Sequence, residues 1–202
     1  MKEVDTAPQT RRRLPRAERQ RQLLELAWAM VREGGTDALS LGRLAEQAGI
    51  AKPVVYDHFG TRAGLLAALY EDFDARQNAL MDAALKTCEP GLPRIAEVIA
   101  RSYVECVLRQ GREIPGVIAA LASSPELEKI KAEYEKLFMD KCRAALSPFA
   151  GAGGIRPAAL RAMLGAAEAL SHAAATGEVT PKQAKDELFA LIVALVGRTA
   201  KR

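Results

Sequence analysis

Apolar residues recur at three- and four-residue spacings along most of the chain, and glycine or proline interrupts them at short intervals. Leu24, Ala27, Trp28 and Val31 fall at i, i+3, i+4 and i+7, which predicts an amphipathic helix over residues 16–33. Gly34-Gly35 stops it. Ser40 is a suitable N-cap for a second helix carrying Leu41, Leu44, Ala45 and Ala48, and Gly49 ends that helix after barely two turns. Lys52-Pro53 opens a third, because proline is favoured in a first turn, and Gly60 keeps it short. Thr61 caps a fourth with Leu65, Leu66, Leu69, Tyr70 and Phe73 on one face. That helix runs towards Lys86, with a break near Asp72 left open. The same periodicity continues over 93–109, 114–121 and 125–146, and after a glycine-rich linker at 151–154 over 157–175 and 181–198. No alternating segment of useful length and no fixed-period repeat interrupts the series. The reading is an all-α fold of about nine helices.

Composition agrees. At 202 residues the chain holds one domain or two small ones, and 49% apolar with 27% charged residues suffices for a core. Three widely spaced cysteines (Cys88, Cys106, Cys142) form neither a CxxC pair nor a disulfide framework, which implies a reduced, cytoplasmic setting. The first residues lack the apolar stretch of a signal peptide, and the longest apolar run, 188–196, is about half of a bilayer span. Membrane, secreted and fibrous classes are thereby excluded. The charge excess is modest, +4, but unevenly placed. Residues 11–21 hold Arg11, Arg12, Arg13, Arg16, Arg19 and Arg21 against one acid, Glu18. Such an arm suits a phosphate backbone or a merely solvated tail.

Residues 39–59 read as a helix-turn-helix. Ala45 is small where two helices must approach, Gly49 supplies a left-handed turn, and Ile50 plugs the turn into the core. Val55 and Phe59 anchor the second helix, leaving Lys52, Val54, Tyr56 and His58 facing outward. A helix so presented enters a major groove, although an ordinary αα-hairpin shares much of the pattern.

Leu44-Ala45, Ala48-Gly49-Ile50, Val55-Tyr56-Asp57-His58-Phe59, Arg62 and Leu65-Leu66 together resemble the tetracycline-repressor (TetR) family of bacterial transcription regulators. The resemblance covers about residues 16–70. It implies a DNA-binding domain over 16–72, a ligand-binding and dimerisation domain over 73–202, and a homodimer on a double-stranded operator. It also implies roles for single residues. Tyr56 and Arg62 would hold phosphates, Lys52, Pro53 and Val54 would face base edges, His58 would reach a phosphate or a base, and Arg43 would straddle the backbone. Two departures stand out: Ala51 replaces the family's usual Ser or Thr, and Arg62 its usual Lys.

Enzyme motifs are missing. There is no HExxH, GxSxG or Walker sequence, and His58 and His172 are the only histidines. The chain is expected to be no enzyme, with no cofactor and no metal. Phe73, Tyr103, Cys106, Val107, Ile118, Leu121, Tyr134, Phe138 and Cys142 on the middle helices suggest a pocket for a small apolar or weakly polar effector, with ordinary core as the alternative. Few acids or bases nearby are expected to face inward. Leu160, Met163, Leu164 and Ala167, with Leu188, Leu191, Ile192 and Leu195, form two stripes expected to pair across a two-fold axis, unless they close the monomer's own core. The expected function is a sequence-specific DNA-binding repressor released from its operator by such an effector, and the main alternative is an α-helical protein-interaction module without DNA binding.

Overall fold

The computed structural model describes residues 14–110, 113–122 and 125–200. The arginines at 11–13 of the basic arm lie outside the described residues. Among the latter there are nine α-helices and no strand: α1 Arg16–Gly34, α2 Leu41–Ala48, α3 Lys52–Phe59, α4 Arg62–Thr87, α5 Leu92–Gln110, α6 Glu113–Leu121, α7 Pro125–Leu146, α8 Pro157–Thr176 and α9 Pro181–Ala200. Single 3-10 turns at Thr36–Ala38 and Ser147–Phe149 join α1 to α2 and follow α7. None of these helices is long and apolar enough to cross a membrane.

The amphipathic stripes of the first helices meet in one place. Leu23, Ala27 and Val31 of α1, Leu44 and Ala45 of α2 and Val55 of α3 are almost wholly buried with Leu65 and Leu69 of α4. Burying side chains of this kind contributes roughly 1.5–3 kcal/mol each before the entropy of ordering them is subtracted. α4 is unbroken across Asp72, because that side chain faces α1 and accepts the Trp28 indole N–H at 2.8 Å. The helix therefore ties the first three helices to the rest.

In the second part α5 is central, packed against α4, α8 and α9, and its fully buried Ala96 and Ala100 allow close approach. α6 lies between α4 and the α1–α2 corner. There the Arg32 guanidinium of α1 meets the buried carboxylate of Glu113 at 2.6 Å.

The α8 and α9 stripes need correcting. Leu160, Met163, Leu164, Ala167, Leu188, Ile192 and Leu195 are already buried within a single chain, so they close its own core and have no area left for a partner; Leu191 is half-buried. The reason is geometric, since α8 and α9 pack on each other and on α5 through these faces. The surface that α8 and α9 leave open includes small residues, Ala162, Gly165 and Ala169 on α8 and Ala190 and Ala194 on α9, beside charged ones such as Arg161, Glu187 and Arg198.

Candidate DNA-binding interface

The hairpin of α2 and α3 is set by local chemistry. The Ser40 hydroxyl accepts the Arg43 backbone N–H at 3.2 Å, capping α2. Gly49 ends α2 at φ 62°, ψ 37°, a conformation that costs other residues about 1–2 kcal/mol. The turn then presents α3 with Val55 and Phe59 inward and Lys52, Pro53 and Tyr56 outward. Tyr56 is 52% exposed, and its ring and hydroxyl stand free on the surface. Val54 is half-buried beside it. This is a short helix offering one aromatic hydroxyl, one cation and one methyl-bearing side chain from a rigid base.

A family model described as "Bacterial regulatory proteins, tetR family" matches residues 23–69, which are α1 through the first turns of α4. In this region the chain resembles the tetR family. The activator FasR of Mycolicibacterium smegmatis is 39% identical over 59 residues, 29% of this chain. The match spans 27% of that relative's own length, about a quarter. Solved structures show the same fold over most of the chain. A transcriptional regulator from Pseudomonas aeruginosa PAO1 superposes with a TM-score of 0.76 at 17% identity, covering 94% of this chain and 96% of its own. A TetR-family regulator from Rhodococcus sp. gives 0.75 at 18% identity, covering 89% and 99%.

Within this region the residues predicted from sequence divide by what they already hold. Tyr56 and Pro53 are exposed, and the Tyr56 hydroxyl has no hydrogen-bond partner among the described residues. Lys52 leans back over Gly42 and sits 3.8 Å from Glu46, an exposed pair worth under about 1 kcal/mol that an approaching phosphate can break. Arg43 donates to the Ala38 carbonyl at 3.3 Å. Arg62 is committed more deeply. It donates to the Leu39 carbonyl at 3.0 Å and the Thr36 carbonyl at 2.7 Å, fastening the start of α4 to the α1–α2 corner. The planar fork of arginine suits two carbonyls in a way lysine cannot, which gives the departure at this position a structural use.

His58 does not face outward as its spacing implied. It is half-buried against Phe59, with ring centroids 6.0 Å apart and its Nδ1 shut off without a partner. Burial lowers its pKa, Arg16 and Arg19 lower it further, and Asp57 opposes them, so the ring is neutral at pH 7. Sequence reasoning missed the part of Arg16, whose guanidinium donates to the Asp57 carbonyl at 3.0 Å and closes the C-terminal end of α3. Its only signal was membership of the arginine run.

The middle helices form a packed interior. Phe73, Tyr103, Cys106, Val107, Leu121, Phe138 and Cys142 are buried, and Ile118 and Tyr134 half-buried. Tyr103 meets Phe138 edge-on at 5.3 Å, and Tyr70 meets Tyr134 at 5.7 Å. Burial pushes the Cys106 thiol up to about 11 and that of Cys142 up to about 12, so both stay protonated and weakly reactive.

The expectation that few charged groups face inward is overturned. Asp74, Glu113 and Glu135 are buried, and Glu135 is held between Lys131 and Arg161. These acids sit on helical faces that also carry lysine and arginine one turn away or across the seam, so periodicity alone counted them as solvated. Burial raises the Asp74 carboxyl to about 6 against the help of Asn78 and Lys141. Gln77 Nε2 and Ser171 Oγ are buried without partners among the described residues. No group of three or more His, Cys, Asp or Glu able to hold a metal occurs among the described residues.

Proposed function

We propose that this chain is a homodimeric, sequence-specific transcriptional regulator of the cytoplasm, acting as a repressor that a small-molecule effector releases from its operator. The observation that carries the reading is α3, with Tyr56 bare on a capped, rigid helix-turn-helix inside the region that matches the tetR family. Lys52, Pro53 and Val54 would read base edges, and Tyr56, with Arg43 and the free N–H groups of Arg62, would hold the backbone, while the half-buried His58 would have to turn outward to reach a phosphate or a base. The domain division at residues 72 and 73 then separates DNA binding from effector binding along one continuous α4. The interior of α4 to α7, with Tyr103, Phe138 and their neighbours, is where an effector pocket would open.

The test is operator selection from a random duplex library followed by quantitative binding. Tyr56→Phe should weaken binding to every sequence alike, because it removes a phosphate contact and no base contact. Val54→Ala and Lys52→Ala should instead change the preferred operator, by about 1–3 kcal/mol per lost base contact. Unchanged ranking in both variants would place the reading face elsewhere. FasR carries the name of an activator, so a promoter fusion should accompany the binding assay and give the sign of regulation.

Two recognition helices must lie about 34–36 Å apart to enter successive major grooves, which requires a second copy of the chain. The small-residue face of α8 and α9 suits the close packing of a four-helix dimer seam. Gly165 has nothing within 4 Å of where a Cβ would stand, so Gly165→Leu should leave the monomer folded and separate the dimer. Light scattering across a concentration series checks this: an unaltered dimer mass would put the seam on another face.

A further inference from the structure

A furrow follows the seam between α4 and α5. Arg76, Ala79 and Leu80 from α4 and Cys106 and Arg109 from α5 line a space of about 370 Å³. Leu80 also lines an adjoining space of about 410 Å³ that continues past Ala84 and Val98. From Arg76 to Ala84 the helix rises about 12 Å, so the furrow is elongated. Its floor is apolar at Ala79, Leu80 and Cys106, where Cys106 contributes a buried, protonated thiol, and the adjoining space is lined also by Glu97, Arg101, Ser102 and Glu105.

One end is cationic. Arg109 has no ion-pair or hydrogen-bond partner among the described residues. Arg76 holds Asp72, Nη2 to Oδ2, at 2.7 Å. Both guanidiniums act on the Cys106 thiol electrostatically, so both charges are felt at the floor. The partner of Arg76 leads directly into the DNA-binding domain, because Asp72 Oδ2 also accepts the indole N–H of Trp28 on α1. At the other end Arg101 is already paired with Glu105. Among the described residues that line the furrow, Arg109 is therefore the unpaired cation, and Arg76 stands beside it in an exposed pair with Asp72.

We propose that this furrow binds an amphiphilic carboxylate, with its head between Arg76 and Arg109 and an unbranched apolar body along Ala79, Leu80 and Cys106. The occupant follows from the charge at one end and the apolar floor beyond it. A carboxylate accepts from two guanidiniums with short, charge-assisted hydrogen bonds, whereas an amine is repelled there. The same occupant competes with Asp72 for Arg76 and so alters the bond that Asp72 makes to Trp28. The furrow is thus an effector site of its own, apart from the interior around Tyr103 and Phe138, with a chemical class and a route to α1; its regulatory meaning rests on the reading of the chain as a DNA-binding regulator.

Trp28 is the chain's one tryptophan, so its emission reports on the site. The full-length protein is titrated with decanoate, decanol and decylamine at constant ionic strength. Decanoate should shift the Trp28 emission saturably, decanol should bind about tenfold more weakly, and decylamine should give no shift. Arg109→Met should weaken decanoate about tenfold without moving the emission of the free protein. Ala79→Phe should fill the floor and abolish binding while leaving thermal stability intact, since Ala79 is exposed. Equal affinity for the three probes, or decanoate binding that survives both substitutions, overturns the proposal. Heat of decanoate binding without any change at Trp28 overturns the route. A mobility-shift assay on the selected operator separates this from the wider reading. Operator binding indifferent to saturating decanoate rejects the furrow as an effector site and leaves the regulator standing. Absence of any DNA binding rejects the regulator and leaves the carboxylate site standing.

Discussion

Gly64→Ala is expected to unfold the helix-turn-helix end of the chain and remove the proposed operator binding with it. Gly64 lies in the first turn of α4, where its N–H donates to the Thr61 hydroxyl that caps the helix. A Cβ there would stand 2.1 Å from the Phe59 carbonyl oxygen and 3.2 Å from its carbon. Both are backbone atoms at the end of α3 and cannot swing aside as a side-chain tip could. To relieve the clash, α3 must move relative to α4, which drags Val55 and Phe59 from their seats in the core. Overpacking typically costs about 1–3 kcal/mol, and a backbone clash this close belongs at the upper end or beyond. Gly42→Ala is the matched control. There the nearest atom is the Lys52 Cε at 3.8 Å, and α2 should gain roughly 0.5–1 kcal/mol from the better helix former. Thermal unfolding of the two variants should therefore move in opposite directions. A Gly64→Ala protein as stable as the parent would show that the α3–α4 corner is looser than described.

The second large effect is expected at the seam between α1 and α6. Glu113 is 7% exposed, its Oε1 receives the Arg32 guanidinium at 2.6 Å, and its Oε2 is buried without a partner among the described residues. Arg32 itself is 64% exposed, so Arg32→Ala removes little packing. What it leaves is a buried carboxylate with neither oxygen satisfied, at a cost of about 2 kcal/mol or more. Glu113→Met alone should cost less, because it removes the charge together with the need for a partner and keeps the volume. Adding Glu113→Met to Arg32→Ala should recover most of the stability. Denaturant unfolding of the two single variants and the double variant measures the coupling. Strictly additive losses would mean that the pair does not join the two helices.

Much of this architecture could be read before any coordinates existed, because it depends on neighbours in sequence. The starts of α2, α3 and α4 follow from Ser40, Pro53 and Thr61, and their ends at Gly49 and Gly60 from glycines at φ 62° and 65°. The inward faces of α2 and α3 follow from helical periodicity, and the exposure of Tyr56 follows from those faces. Other features depend on what lies across a seam. His58 has the spacing of an outward residue, yet α1 brings Arg16 and Arg19 over the end of α3 and half-covers it. Arg62 looks like a free cation, yet the α1–α2 corner offers it two carbonyls. The apolar stripes of α8 and α9 look alike whether they face a partner copy or α5. Only packing shows that they face α5, leaving small residues outside.

By itself, then, the sequence determined the all-α pattern of about nine helices, the helix-turn-helix and its resemblance to the tetR family. Capping, glycine turns and a 3.6-residue period act within a few residues and leave their marks locally. Tertiary structure alone decided which charges are buried, which arginines are already engaged, and which face of α8 and α9 remains free. Each of those depends on a partner far away in sequence, such as Glu113 for Arg32 or Asp72 for Trp28. A pattern of polar and apolar positions shows that a face is buried, and it carries no record of what covers it.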